Sequence, residues 1–294
     1  MTAMTIKEAK KIVKKTEQSN PTEAQMLSLK DALEFLIDET QDPGYMMYLG
    51  GIYYDERRFD LALKYYEMAE EQDDDSAYEC LGYIWYYGRT GEKDYKKAFE
   101  YFSKAAQVGN IIAAYKVADM YREGYYVDKD YEKYCRTIES LYPMVRMTDN
   151  LGDPLPEISM RLAAIRREQG KTDEAIQILL KARPFLAERI MYNPFFGDLN
   201  NMEHLIGDLY EMAECNTADF RLYDLYHVIK IPCATEFKYK GKTYEVESYI
   251  RDGKTRVRFG KKQFDSIRDF FAQASIDGRK LVTIPFDLKD FGVR

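Results

Sequence analysis

Apolar positions recur three and four residues apart from residue 5 to about 190, and they alternate with a period of two from Thr235 onward. The first spacing predicts helices and the second strands. Ile6, Ala9, Ile12 and Val13 share one helical face, and Leu29, Leu33 and Leu36 share another. Between them, Asn20-Pro21-Thr22-Glu23 reads as a helix start, with Asn20 as N-cap, Pro21 at N1 and Glu23 at N3. Residues 5–39 are expected to form a helical pair that covers the end of the elements that follow.

Those elements repeat. Ala77, Leu81-Gly82, Trp85, Gly88, Asp94-Tyr95 and Lys97 recur as Ala113, Val117-Ala118, Tyr121, Gly124, Asp130-Tyr131 and Lys133, each 36 positions on. Upstream, Leu49-Gly50 and Tyr53 precede the second copy by 32, whereas Phe59, Ala62, Tyr66 and Ala69 precede it by 36. A loop four residues shorter in the first copy accounts for the difference. Leu162-Ala163, Gly170, Ala175 and Ala182 outline one more short-loop unit. A fixed period of this size marks stacked helical hairpins, because one hairpin cannot bury its own apolar stripe. Gly82 or Ala118 lets the partner helix approach closely.

These residues resemble the Sel-one-like repeat family, a branch of the tetratricopeptide group. Lys104-Ala105-Ala106 and Gly109-Asn110 also fit its pattern. The likeness covers about 43–190, with units at 43–73, 76–110, 112–142 and 156–184. Within 112–142, Tyr134 stands where the family has alanine, which predicts a locally altered helix pair. The resemblance implies a right-handed α-α superhelical solenoid that binds proteins or peptides, with no catalysis and no cofactor. It also implies that Tyr54, Tyr83, Tyr86, Tyr87, Tyr115 and Arg122 fall on first-helix positions lining a concave groove. Aromatics and arginine are the residue types that anchor interfaces. Tyr53, Trp85, Tyr121, Tyr66 and Phe102 occupy repeat-equivalent core positions instead.

Asn193-Pro194 and Gly197 break the helical pattern, and Asp198 can cap a further helix with Leu199, Met202, Leu205, Ile206, Leu209 and Met212 as its stripe. A short helix bearing Phe220, Tyr223 and Tyr226 follows. The expected division is a solenoid over 1–216 and a linker helix with a small α+β module over 217–294. In that module Lys240-Gly241 and Asp252-Gly253 are hairpin turns. Two-residue loops there place Phe237 opposite Tyr244, Val246 opposite Phe259, Ser248 opposite Val257 and Ile250 opposite Thr255. Tyr244, Val246 and Ile250 then share an apolar face, and Glu247 meets Arg258 on the other. Phe264, Ile267, Phe271 and Ala274 form a helical stripe, and 281–284 reads as a further strand. The expectation is an antiparallel sheet of three or four strands with one helix on it.

Composition narrows the chemistry. The 294 residues carry 43 basic and 50 acidic side chains, a net charge of −7, with 2 histidines, 4 cysteines and 26 tyrosines. Residues 234–294 hold 14 basic and 9 acidic groups, or +5, which leaves −12 on 1–233. The acidic part is unsuited to phosphate backbones. In the basic part, Arg251, Lys254, Arg256 and Arg258 could contact nucleic acid, with Glu247 beside Arg258 offering a plainer reading. The cysteines lie far apart with no Cys-x-x-Cys pair, so neither zinc knuckle nor redox pair is indicated, and they are read as reduced. His204 and His227 read as helix residues without a catalytic role. Asp73-Asp74-Asp75 reads as a turn opening a helix rather than a metal site. Gly51-Ile52-Tyr53 and Tyr83-Ile84-Trp85 imitate a nuclease signature, but that signature needs strands and these segments are helical. No phosphate loop is present. No apolar run reaches the roughly 20 residues of a membrane helix, and no signal-peptide pattern opens the chain. The sequence therefore describes a cytoplasmic, bacterial-type, non-enzymatic adaptor for a protein or peptide. A regulator contacting nucleic acid through its C-terminal module is the alternative, and self-association through an uncapped solenoid end is a third option.

Overall fold

The computed structural model describes residues 4–17, 21–145, 154–192, 198–212, 225, 229–281 and 288–293. The chain divides into two compact units, Met1–Thr137 and Ile138–Arg294.

The first unit is a stack of antiparallel helical hairpins. Its helices are α1 (Ile6–Glu17), α2 (Glu23–Thr40), α3 (Pro43–Asp55), α4 (Phe59–Glu70), α5 (Ala77–Tyr87), α6 (Tyr95–Gln107) and α7 (Ile111–Glu123), and it takes in the start of α8 (Tyr131–Val145). From α1 to α7, each helix packs on the next, and α5 also touches α7. The expected close approach is realised. A Cβ on Gly82 would meet a Phe102 ring carbon at 2.5 Å, and one on Gly50 would meet Tyr66 at 2.6 Å. Gly88 ends α5 in the left-handed region at φ 62°, where a Cβ would lie 2.8 Å from the Lys93 nitrogen. Asp94 and Asp130, the repeated residues after the long loops, cap their helices by accepting from the Lys97 and Lys133 amides at 3.0 and 2.8 Å.

The start of α2 corrects the sequence reading. Thr22, not Asn20, caps it, and Asn20 lies outside the described residues. The Thr22 hydroxyl accepts from the Gln25 amide while the Gln25 side chain accepts from the Thr22 amide at 2.8 Å. This reciprocal pair satisfies two orphan donors and so sets the helix start two residues later. In the stripe of α1, Ala9 and Val13 are buried whereas Ile6 is 40% exposed.

The second unit contains the rest of α8, then α9 (Leu155–Glu168), α10 (Thr172–Tyr192) and α11 (Asp198–Met212). Helix α9 packs on α10, α10 on α11, and α11 back on α9. Ala163, Ala175, Ala182, Leu205 and Leu209 are buried as the stripes predict. Arg189 of α10 meets Glu157 of α9 at 2.5 Å, and Asn201 of α11 donates to the same carboxylate at 3.3 Å. The expected helix with Phe220, Tyr223 and Tyr226 lies outside the described residues.

The same unit holds the sheet. Strands β1 (Cys233–Tyr239), β2 (Lys242–Arg251), β3 (Lys254–Phe259) and β4 (Lys262–Phe264) precede α12 (Ile267–Gln273), a short β5–β6 hairpin (Ser275–Ile276, Arg279–Lys280) and β7 (Leu288–Val293). The main sheet has five strands in the order β4-β3-β2-β1-β7. Every pairing expected from the two turns is present: Phe237 with Tyr244, Val246 with Phe259, Ser248 with Val257, Ile250 with Thr255, and Glu247 with Arg258. The buried core joins Phe237, Val246 and Val257 to Phe270 and Phe271 of α12 and to Ala274 at its C-cap.

Four expectations for this module are corrected. The sheet gains a fifth strand, because β7 pairs with β1. Phe264 lies on β4 opposite Val257 rather than on the helix, so a third turn at Gly260-Lys261 ends in a strand before α12 starts at its Ser266 cap. Ile250 shares the face of Val246 but is 61% exposed at the strand end, beyond the helix's cover. Leu281 is buried but not in a strand, and the rest of the strand expected at 281–284 lies outside the described residues.

Candidate functional site

Four of the six residues expected in the groove converge on one cation that the sequence reading missed. Lys116, on α7, is 9% exposed, and its ammonium lies 5.3 Å from the Tyr83 ring, 5.4 Å from Tyr86, 5.7 Å from Tyr87 and 5.5 Å from Tyr115. It donates to the Tyr87 hydroxyl at 3.4 Å. Helices α5 and α7 touch, which brings the tyrosines of one repeat onto the lysine of the next.

The rings differ in exposure. Tyr115 is buried, Tyr83 and Tyr86 are half-buried, and Tyr87 is 42% exposed. Tyr83 stacks parallel to Tyr87 at 5.9 Å and meets Phe102 edge-on at 5.4 Å. Burial, then the neighbouring Tyr115 hydroxyl, pushes the Tyr83 phenol far above its ordinary value. Burial and then Asp119 do the same to Tyr86. These phenols stay neutral hydrogen-bonding groups across the physiological range.

Tyr54 joins the cluster through a second missed residue, Arg89. The Arg89 Nε donates to the Tyr54 hydroxyl at 3.2 Å, and its guanidinium lies 4.9 Å from the Tyr87 ring and 5.3 Å from Phe59. Tyr125 follows the Gly124 cap as Arg89 follows Gly88. It stacks on Tyr95 at 4.3 Å and meets Tyr86 at 6.1 Å. Both residues thus reach back onto the aromatic pair of the preceding repeat. That placement after the capping glycine is the sequence signal that could have found Arg89. Nothing comparable marks Lys116, whose repeat equivalent is Cys80.

Arg122 stands apart from the cage. It pairs with Glu123 at 2.7 Å, donates to the Tyr134 hydroxyl at 3.4 Å and lies over that ring at 5.2 Å. Tyr134 is itself buried. The departure from the family's alanine is therefore where Arg122 is held.

The basic strand residues are largely matched by acids. Arg258 pairs with Glu247, Arg256 with Asp265 at 2.5 Å, and Arg251 approaches Asp252 at 3.9 Å. Lys254 is exposed. A shallow depression of about 260 Å³ beside them is lined by Tyr249, Asp252 and Asp265 as well as Arg251 and Arg256. Among the described residues, no group of three His, Cys, Asp or Glu could hold a metal ion. His204 is exposed, with Nδ1 2.8 Å from the Asn200 carbonyl, and His227 lies outside the described residues. No helix among the described residues is long and apolar enough to cross a membrane.

Stacked hairpins with an aromatic first-helix face define a helical-repeat protein. A family model for the Sel1 repeat matches residues 44–74, 77–110 and 111–133, so 44–133 are Sel1 repeats. The third match stops at Lys133, immediately before Tyr134. Among solved structures, the chain is similar to a Sel1 repeat protein from Oxalobacter formigenes, at 19% identity over 61% of this chain and 67% of that one, with a TM-score of 0.48. It is similar to c5321, a protective antigen of uropathogenic Escherichia coli displaying an SLR fold, at 18% identity and a TM-score of 0.45. That match covers 70% of this chain and about half (49%) of the antigen. YrrB, described as a TPR protein with an unusual peptide-binding site, matches at 13% identity over 69% of this chain and 100% of its own, with a TM-score of 0.39. No curated protein matches the sequence.

Proposed function

We propose that the protein is a cytoplasmic, non-enzymatic adaptor that binds a protein or peptide through the first-helix face of its Sel1 repeats. Tyr54, Tyr83, Tyr86, Tyr87, Tyr115 and Arg122 mark the face, and Tyr87 is its foremost contact. The observation that carries this reading is the exposed Tyr87 ring, stacked on Tyr83 and braced by Arg89. A large ring held in place before binding loses little entropy when a partner arrives, which favours affinity. Tyr83 and Tyr115 support it from behind. The matched charges on the C-terminal strands give no reason to prefer the nucleic-acid alternative.

The test compares full-length protein with Tyr87→Ala and Tyr83→Ala in capture from host lysate, with melting temperatures recorded. Tyr87→Ala stays folded, with a modestly lower melting temperature from the lost contacts to Tyr83 and Lys116, and loses the captured partner. Tyr83→Ala lowers the melting temperature, because its ring packs against Phe102. Equal capture by folded Tyr87→Ala overturns the reading.

A further inference from the structure

Most positive charges of the first unit have either water or a carboxylate. Lys30 pairs with Glu56 at 2.7 Å, Lys104 with Glu70 at 2.8 Å and Arg122 with Glu123 at 2.7 Å. Lys97 and Lys133 lie over Trp85 and Tyr121 but are exposed. Arg89 and Lys116 differ. Arg89 is half-buried and Lys116 nearly fully buried, and among the described residues neither has a carboxylate at ion-pair distance. Their neighbours are the faces and hydroxyls of tyrosines and, for Arg89, the Phe59 ring. An ammonium has three donors and a guanidinium five. Lys116 uses one on Tyr87, and Arg89 uses one on Tyr54.

Withdrawing a cation from water without an anion is unfavourable, and ring faces offset only part of that cost. The two cations flank the one exposed ring of the cluster. The Arg89 guanidinium carbon lies 4.9 Å from the Tyr87 centroid and the Lys116 ammonium 5.7 Å from it. Donors that remain unused beside an exposed aromatic contact suit a ligand that brings an anion and an apolar surface together.

We infer that Arg89 and Lys116 form a carboxylate-binding site, and that the partner presents an aspartate or glutamate side chain beside the residue that packs on Tyr87. This rests on the adaptor reading and adds the chemistry of its partner. A peptide carboxylate fits better than a phosphate polymer because residues 1–233 carry −12. A long polyanion running well past the two-cation site would be repelled by that net charge, whereas the carboxylates of a short acidic peptide stay close to the two cations. The sequence reading missed the site because neither cation recurs at its repeat-equivalent position.

The probe is fluorescein-labelled hexaglutamate, followed by anisotropy with the full-length protein, with hexaglutamine as the neutral control. Hexaglutamate binds and hexaglutamine does not. Arg89→Gln weakens binding by about tenfold or more, as expected for a lost hydrogen bond to a charged group. Lys116→Gln does the same where its melting temperature shows it folded, and Arg89→Gln carries the test where it is not. Lys104→Gln, which removes a charge already paired with Glu70, leaves binding unchanged. Equal hexaglutamate binding by folded Arg89→Gln places the anion on another part of the chain and overturns the inference. An oligothymidylate of the same charge that binds more tightly, with the same dependence on Arg89, also overturns it in favour of phosphate. A lysate partner that needs Tyr87 while hexaglutamate binding ignores Arg89 leaves the adaptor reading standing and removes this one alone.

Discussion

The Phe102 ring lies against the backbone of Gly82 so closely that a methyl group there would meet a ring carbon at 2.5 Å. Helices α5 and α6 are held at this separation by the absence of a side chain. Gly51, in the preceding repeat, is also helical, but a methyl group on it would find no neighbour within 4 Å.

Gly82→Ala therefore lowers stability by about 1–3 kcal/mol, the range for overpacking a well-filled core. Gly51→Ala has no clash to set against the entropy it removes from the unfolded chain, and raises stability by about 0.5–1 kcal/mol. Urea unfolding of the two variants measures both. Equal effects would mean that helix propensity alone, and not the contact with Phe102, accounts for Gly82.

A second contact recurs with the repeat. The Tyr101 hydroxyl donates to Glu70 at 2.8 Å, and the Tyr65 hydroxyl donates to Glu34 at 3.4 Å. Both pairs span 31 residues, and the glutamates, like the tyrosines, are 36 apart. By this measure α2 serves as the second helix of a repeat, the place that α4 and α6 hold in the units that follow. Burial, with Glu34 next, pushes the Tyr65 phenol up to about 12, and burial followed by Glu70 raises Tyr101 as well.

The sign of the pH effect follows from the raised values. An unfolded tyrosine ionises near pH 10, so the folded state holds these protons more tightly than the unfolded one. The contribution of Tyr65 is complete below about pH 10 and is lost as the pH climbs to about 12. The urea midpoint falls across that interval, and Tyr65→Phe makes the fall shallower. An unchanged slope in Tyr65→Phe would show that Tyr65 ionises alike in both states.

Periodicity makes the repeats and the hairpin registers legible in the sequence alone. A fixed offset of 36 locates Gly82, Asp94 and Gly124, and two-residue turns dictate which side chains face each other in β1 to β3. What escaped lies where local pattern ends. Strand β7 pairs with β1 across some fifty residues, and Lys289, Asp290 and Gly292 interrupt its alternation. Long-range pairing of that kind leaves no turn signal in the sequence. The candidate face was proposed from the sequence because the resembled family lines its groove with these first-helix positions; Lys116 replaces a cysteine of the preceding repeat and so carries no repeat signal, and Arg89 is marked only by its place after a capping glycine. Exposure also resisted reading: Tyr115 and Tyr87 both carry aromatic rings on first helices, yet only Tyr87 reaches the surface.

The turn between β1 and β2 offers the last prediction. Lys240 and Gly241 have φ values of 48° and 75°, and Asp252 and Gly253 have 53° and 70°. Both turns place two consecutive residues in the left-handed region, the geometry that suits the right-handed twist of paired strands. Asparagine and aspartate tolerate the first position, whereas a lysine strains there. The second turn thus has a favourable residue where the first does not. Lys240→Asn should raise the stability of the sheet by a few tenths to about 1 kcal/mol, while Gly253→Ala lowers it by about 1 kcal/mol or more through a Cβ in the left-handed region. Hydrogen exchange of the Phe237 and Val246 amides reads the first change locally, because those residues sit in the ladder that the Lys240-Gly241 turn closes. Unchanged protection in Lys240→Asn would mean that β7, bonded to the other side of β1, sets the opening of this strand, and that the turn merely follows.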